Sequence, residues 1–195
     1  MSVIFGIKEE KEIIITGDKR GTNILNGLHS DDTDKITVIN EHLAFASAGN
    51  HAIETAINMD VDKIKDKEVM STDDLLDVIK AFYNRVNETG ATTILSMPFY
   101  FFIAGKGRDS GASLISGCNS KGHFSAQEVP MALYPPADAQ MEACCNIFAK
   151  NYKLHHSDFV ERTVQEISSI SQYVSATGDK WGYNIKAEKG VLYTF

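Results

Sequence analysis

The chain has 195 residues, a formal net charge of −7 and a hydrophobic content of 43%. A chain of this length fits one domain and can bury a sizeable core. Its 19 lysines and arginines are scattered along the sequence, so the composition argues against a phosphate-binding surface and we expect no nucleic-acid partner.

Two apolar runs open the chain. Residues 2–7 and 12–22 flank a short charged turn, a pattern that predicts two antiparallel strands. This pairing would return Asp18 to the level of Ser2. A second residue as small as serine normally permits removal of Met1, and Ser2 would then carry both a hydroxyl group and a free α-amine. Because such an amine has a pKa of about 7.7–8.0, it can accept the hydroxyl proton near neutral pH.

A polar loop and a second pair of strands follow. Residues 18–34 are rich in Gly, Asn, Ser and Asp, a composition typical of a loop that frames the mouth of a site. The strands are expected at residues 35–40 and 43–48. Asn50 then stands where it can cap a helix with apolar residues on one face.

In the middle of the chain, helical periodicity gives way to strands. Ser71 or Thr72 is expected to cap a second helix that ends before Gly90. Beyond it, β-branched and aromatic runs separated by turn residues predict three strands. These strands are expected at residues 92–104, 113–118 and 122–128.

The last third predicts two helices and two closing strands. One apolar stripe runs at helical spacing from Met141 to Tyr152, and a second begins at a capping box formed by Asp158 and Glu161. The closing strands are expected at residues 181–187 and 191–195.

The order of elements predicts the fold class. Short connections favour antiparallel sheets, yet runs such as residues 13–15 and 99–103 are apolar on both alternating faces. Strands of that kind are covered on both sides. Two antiparallel sheets stacked face to face, with a helix pair outside each, satisfy both requirements. We therefore expect an α+β protein, a four-layer αββα sandwich forming one domain over residues 1–195.

Several short patterns recur together near the start of the chain. They are Ser2, Gly6, the segment Gly-Asp-Lys-Arg-Gly-Thr at 17–22, the lysine-bearing strand at 34–39 and the Ala-Gly pair within 45–50. Together they resemble the start of a mature proteasome β-type subunit, or of the bacterial two-ring relative of the proteasome, in the N-terminal-nucleophile (Ntn) hydrolase superfamily. The resemblance implies the αββα fold and a hydrolase that cleaves peptide or amide bonds.

The resemblance also implies roles for individual residues. Ser2 would be the nucleophile, Lys35 would lower the pKa of its hydroxyl and keep the amine neutral, and Asp18 would pair with Lys35. Gly49 would offer its backbone amide to the developing oxyanion. Each residue also has an ordinary structural interpretation: a plain second residue, a solvated lysine, a turn aspartate and a glycine between a strand and a helix.

The sequence departs from the family pattern where the family holds the terminal amine. A serine at the terminus lacks the methyl group that restricts the side chain of threonine. In the loop after the fourth helix, Ser175 and Thr177 keep hydroxyl groups, but Val174 stands where the family has a carboxylate. Asp179 could compensate from a shifted position. Before the third helix, the only hydroxyl is that of Tyr134.

Three functions follow as expectations. The favoured one is a hydrolase of peptides or amides that assembles into a homo-oligomer, with a ring as one arrangement. The second is a catalytically inactive scaffold or assembly subunit of the same fold. The third is a small-molecule amidohydrolase or acyltransferase that uses the same nucleophile.

The sequence also carries signals of location. No basic segment followed by an apolar stretch opens it, and no apolar run is long enough to cross a bilayer. Cys118, Cys144 and Cys145 lack metal-ligand spacing and are typical of a reducing compartment. We therefore expect a cytoplasmic protein with no membrane partner, no metal and no cofactor.

Overall fold

A computed structural model describes residues 2–22, 26–109, 111–120 and 123–195. Met1 lies outside the described residues, and so does Gly122, the expected start of one strand. The described residues form a mixed α+β protein with two five-stranded antiparallel sheets, a two-stranded ribbon and four α-helices. This confirms the mixed class and the antiparallel pairing expected from the sequence.

The elements follow one another in a simple order. The strands are β1 (Ile4–Lys8), β2 (Glu12–Asp18), β3 (Gly21–Thr22), β4 (His29–Ser30), β5 (Ile36–Asn40), β6 (Leu43–Gly49), β7 (Phe99–Lys106), β8 (Ala112–Ser120), β9 (His123–Glu128), β10 (Met131–Tyr134), β11 (Gly178–Asn184) and β12 (Lys189–Thr194). The helices are α1 (His51–Val61), α2 (Thr72–Glu88), α3 (Met141–Leu154) and α4 (Phe159–Ser168). Short 3₁₀ helices lie at Lys67–Val69 and Thr92–Ser96.

The first sheet has the strand order β10-β1-β2-β11-β12, and the second has the order β5-β6-β7-β8-β9. In the first sheet, Ile4 pairs with Gly17, and Ile15 pairs with Trp181. Strand β1 is therefore an interior strand of the first sheet, and its start lies beside the end of β2. This register brings the segment around Ser2 next to Asp18.

Three apolar clusters show what each sheet face contacts. Ile4, Ile13 and Ile15 of the first sheet pack with Phe102 and Leu114 of the second. The opposite faces of the two sheets are covered by helices: α3 and α4 pack against β1 and β2, while α1 and α2 pack against β6 and β7. The run Ile13–Ile15 is accordingly buried on both faces, as its composition predicted.

The helix starts show which local signals decided the fold. Asn50 accepts a hydrogen bond from the backbone N–H of Ala52 at 3.0 Å, and Ser71 forms a capping box with Asp74. The capping box expected at Asp158 is wrong, because α4 has no side-chain cap there. The Asp158 carboxylate instead accepts a hydrogen bond from Arg162 Nε at 2.7 Å.

One predicted strand begins too early in the sequence, and one strand was missed. The strand expected from residue 92 begins only at Phe99, because Pro98 has no N–H for the ladder and the preceding segment coils into a 3₁₀ helix. The side-chain amides of Asn50 and Asn119 hold that helix by donating to backbone carbonyls at 2.8 Å. Strand β10 was not predicted. It is four residues long and pairs with β1, which is distant in the sequence.

Candidate active site

A cleft opens where the inner faces of the two sheets meet the start of the chain. Side chains alternate between the two faces of a strand, so Ser2 and Gly17 are directed to the same side of the first sheet as Ile4 and Ile15, toward the second sheet. The cleft has a volume of about 520 Å³. Residues that line it include Ser2, Arg20, His29, Lys35, Gly49 and Tyr173.

Ser2 is largely buried, with 5% of its surface exposed. Its hydroxyl donates a hydrogen bond to the carbonyl oxygen of Arg20 at 2.9 Å. The Arg20 guanidinium makes two hydrogen bonds of 2.6 Å to the Asp31 carboxylate and donates to the Gln172 carbonyl at 2.8 Å. The backbone acceptor for Ser2 is therefore held by a bidentate ion pair at the rim of the cleft.

Asp18 is fully buried and serves as an acceptor for the backbone around it. Its carboxylate accepts hydrogen bonds from the N–H groups of Val3 at 2.9 Å, Arg20 at 2.8 Å and Ser175 at 3.2 Å. Burial raises the pKa of Asp18 above its ordinary value, and these hydrogen bonds and the charge of Lys35 oppose the increase. Asp18 thus joins three backbone segments at one point beneath the cleft.

Lys35 precedes β5 and projects into the cleft from the second sheet. Burial lowers the pKa of Lys35, and the nearby charges of Asp18 and Glu54 oppose the decrease. Among the described residues, no ion pair joins Lys35 to a carboxylate. Asp18 therefore acts on Lys35 through its field rather than through a direct contact.

Gly17 permits the close approach of Lys35. A Cβ atom added at Gly17 would lie 2.7 Å from Cβ of Lys35 and 3.2 Å from a methyl group of Ile4. Real Cβ atoms do not come so close to another carbon, so a side chain here would displace Lys35. Glycine at this position is explained by packing between the sheets.

Gly49 is the last residue of β6 and lines the same cleft as Ser2. Its φ of +105° lies in the region that favours glycine. A Cβ atom here would also lie 2.2 Å from the backbone oxygen of Pro98. Backbone alone therefore forms this part of the wall, directly before the helix cap at Asn50.

Ser175 and Thr177 lie beside Asp18 but are not among the described residues that line the cleft. The Ser175 hydroxyl donates to the Thr177 carbonyl at 2.8 Å and accepts from the Lys19 N–H at 2.9 Å. Tyr134 is directed elsewhere, since its hydroxyl is 2.7 Å from that of Ser116 in the second sheet. The Ser175 hydroxyl thus bonds the backbone, and the Tyr134 hydroxyl bonds a side chain of the second sheet.

Sequence reasoning missed part of the cleft wall. Arg20, His29 and Tyr173 line the cleft, although the sequence patterns give none of them a role there, and the rings of His29 and Tyr173 lie 6.0 Å apart at the rim. The polar composition of residues 18–34 was the only signal for His29. A second cleft of about 410 Å³ shares Lys35, Gly49 and His29 with the first and adds Glu54.

Compared with models of known protein families and with curated proteins, the sequence matches none. Among the described residues, no helix is long and apolar enough to cross a membrane. Within the same part of the chain, no group of three or more His, Cys, Asp or Glu side chains is arranged to hold a metal ion. We therefore infer the function from the geometry of the cleft.

Proposed function

We propose that the chain is an Ntn hydrolase with the four-layer αββα sandwich, and that it cleaves peptide or amide bonds with Ser2 after removal of Met1. One observation carries the proposal: Ser2, Lys35 and Gly49, which come from three separate strands or their ends, line a single cleft. The helix-covered outer faces of both sheets support the fold assignment.

Ser2 would attack the substrate carbonyl through its Oγ. In this step the Oγ–C bond forms and the hydroxyl proton passes to the α-amine of the same residue. The amine then gives this proton to the leaving nitrogen as the C–N bond breaks, which leaves an ester on Ser2. Water hydrolyses the ester, and the Ser2 hydroxyl is restored. The amine can serve in both directions because its ordinary pKa is about 7.7–8.0.

Lys35 would stabilise the negative charge that develops on Oγ during attack. Its positive charge would also lower the pKa of the α-amine and so keep the amine neutral at neutral pH. The field of Asp18 favours the protonated form of Lys35, since a neighbouring negative charge raises the pKa of a lysine. The buried carboxylate thereby opposes the effect of burial on Lys35.

Gly49 would provide the oxyanion donor. Gly49 lines the cleft and has no side chain, so its backbone amide can approach a substrate oxygen closely. Removing one such donor typically lowers kcat by about 10²–10³-fold. The neighbouring start of α1 adds favourable backbone dipoles to the same wall.

The test combines intact mass with a serine-directed probe. Protein expressed in its native organism should lack Met1, and a β-lactone should add one label to wild-type protein and none to Ser2→Ala. The matched control is Ser169→Ala, because Ser169 is an exposed serine at the end of α4. Labelling that persists unchanged in Ser2→Ala would rule out the proposal.

A second candidate is the non-catalytic scaffold. It is favoured by the hydroxyl of Ser175, which is engaged with the backbone of Lys19 and Thr177 and so is directed away from the cleft. Native protein that keeps Met1, takes no label and cleaves nothing in a peptide library would support this candidate. In contrast, a narrow range of small amide substrates would favour the small-molecule amidohydrolase.

We also propose a homo-oligomer that acts in the cytoplasm on peptide or amide substrates. Such an assembly would restrict access to the cleft and so limit which substrates reach Ser2. Native mass spectrometry or analytical ultracentrifugation would test it, and a monomer at all concentrations would contradict it.

A further inference from the structure

Lys19 connects two carboxylates from different parts of the chain. Its Nζ lies 2.8 Å from Oδ1 of Asp34 and 3.1 Å from Oδ2 of Asp179. The side chains of Lys19 and Asp179 are only 15% and 4% exposed, whereas that of Asp34 is 76% exposed. We call these three residues the Lys19 bridge. The bridge thus has a buried half at β11 and an exposed half at the residue before Lys35.

The backbone of Lys19 strengthens the same connection. Its N–H donates to the Ser175 hydroxyl at 2.9 Å and to the Thr177 carbonyl at 3.1 Å. Its carbonyl accepts from the N–H of Thr33 at 2.9 Å, two residues before Lys35. Lys19 therefore holds the segment that leads into β5 against the end of β2 by both side chain and backbone.

The backbone of Lys35 is attached on both sides. The carbonyl of Lys35 accepts from the N–H of Ser47 at 2.9 Å, which fixes one side of its backbone to β6. The attachment of Asp34 to Lys19 fixes the other side. Since Cβ of Lys35 packs into the space left by Gly17, a small movement of this segment changes the position of the ammonium group.

We propose that Lys19 and Asp34 are positioning residues for Lys35, so that the exposed Asp34 carboxylate, which contacts no part of the cleft wall among the described residues, controls the rate of the reaction. This inference rests on the proposed function for its kinetic consequence. Its structural consequence, the position of Lys35, can be measured without any activity.

The variant that tests the proposal is Asp34→Asn. Asp34 is exposed and Lys19 keeps its buried partner Asp179, so the protein should fold as before. Displacement of a catalytic group by a fraction of an ångström to an ångström should lower kcat by roughly 10- to 100-fold. KM should change by less than about threefold, because the bridge does not contact the substrate. Asp34→Glu, which restores the carboxylate, should recover most of the rate.

Asp32→Asn is the matched control. Asp32 is an exposed carboxylate in the same segment, and no hydrogen bond or ion pair involves its side chain among the described residues. The substitution removes the same charge near Lys35 without touching the bridge. It should leave kcat within about twofold of wild type.

A second measurement reports on Lys35 directly. In protein labelled with ¹³C at the lysine ε-carbons, the Lys35 signal, assigned with Lys35→Arg, should shift in Asp34→Asn and stay in place in Asp32→Asn. A wild-type Lys35 signal in Asp34→Asn, or an equal shift in both variants, would overturn the proposal. If the signal moves as expected but wild-type protein neither hydrolyses amides nor takes the label, the positioning role stands and the proposed function fails.

Discussion

Two lysines near the cleft, Lys19 and Lys35, have opposite surroundings. Lys19 forms two ion pairs, and its hydrogen bond to Asp34 is the largest cause that raises its pKa. Lys35 forms no ion pair with a carboxylate among the described residues, and burial lowers its pKa. One lysine is therefore held as a cation, whereas the other loses its proton more readily than an ordinary lysine does.

The difference arises from what the two buried aspartates already bind. Asp179 has a carboxylate oxygen available for Lys19, and its other oxygen accepts from the Thr194 hydroxyl at 2.6 Å. Asp18 has both oxygens occupied by backbone N–H groups, so it reaches Lys35 only through its field. A buried carboxylate with a free oxygen thus forms an ion pair with a nearby lysine. A buried carboxylate whose oxygens are both bound to backbone N–H groups instead affects only the pKa of the lysine, through its charge.

The sharpest test of this contrast is Lys35→Met, for which we expect the largest effect. Loss of a preorganised cation beside a developing negative charge should lower kcat by about 10²–10³-fold. Because folding lowers the pKa of Lys35, the charged form costs folding free energy at neutral pH, so the free energy of unfolding of Lys35→Met should equal or exceed that of wild type. Hydrolysis rates and urea unfolding would measure both quantities.

A large loss of stability in Lys35→Met would contradict the contrast, because it would mean that Lys35 acts as a structural cation like Lys19. Met is a suitable replacement, since it keeps the length of the side chain and fills irregular space in a core.

The converse test is Lys19→Met, which acts on stability. It leaves the Asp179 carboxylate buried without a cation, and removal of one partner from such a pair should lower the free energy of unfolding by about 3 kcal/mol. Lys150→Met is the control, because the ion pair of Lys150 with Glu166 is exposed and should contribute less than about 1 kcal/mol. The free energy of unfolding of both variants would be measured with urea. An equal decrease in the two would show that the Lys19 bridge stabilises the protein no more than an exposed ion pair does.

The sequence predicted features that depend on neighbours in the chain. Asn50 and Ser71 cap helices through their own first turns, and the isoleucine run at residues 13–15 needed burial on both faces in any fold. Strand β10 depends on pairing with β1, over 120 residues away, and a four-residue run gives too weak a local signal. Asp158 had the spacing of a cap, but Arg162 attracted its carboxylate instead.

In the candidate site, too, local features could be predicted from the sequence, whereas features that depend on distant residues could not. The roles of Ser2, Lys35 and Gly49 could be proposed because each lies in a short sequence pattern that resembles the Ntn hydrolase family. The direction of the Ser175 hydroxyl could not, since a hydroxyl turns toward whichever backbone groups the tertiary fold brings near, here the N–H of Lys19 and the carbonyl of Thr177. The role of Lys19 was hidden for the same reason, because Asp179 is far away in the sequence.

Gly17→Ala tests whether packing between the sheets sets the position of Lys35. The new methyl group would meet Cβ of Lys35, so we expect a loss of about 1–2 kcal/mol in the free energy of unfolding and a roughly tenfold loss in kcat. Gly182→Ala in β11 is the matched control, because a Cβ atom there meets open space, and it should change the free energy of unfolding by less than about 0.5 kcal/mol. A Gly17→Ala variant with wild-type kcat would show that Lys35 tolerates displacement.

The smallest expected effect is a shift in the alkaline limb of the pH–rate profile. Because burial lowers the pKa of Lys35 below its ordinary 10.5, wild-type activity should decline at a lower pH than an unperturbed lysine would allow. In Lys35→Arg the guanidinium stays charged throughout this range, so the limb should move to higher pH by about one unit or more. Lys19→Arg should leave the limb in place, since its ion pairs already hold Lys19 charged there. Profiles of kcat/KM against pH for wild type and the two variants would test this prediction. An alkaline decline at the same pH in all three proteins would show that a group other than Lys35 causes it.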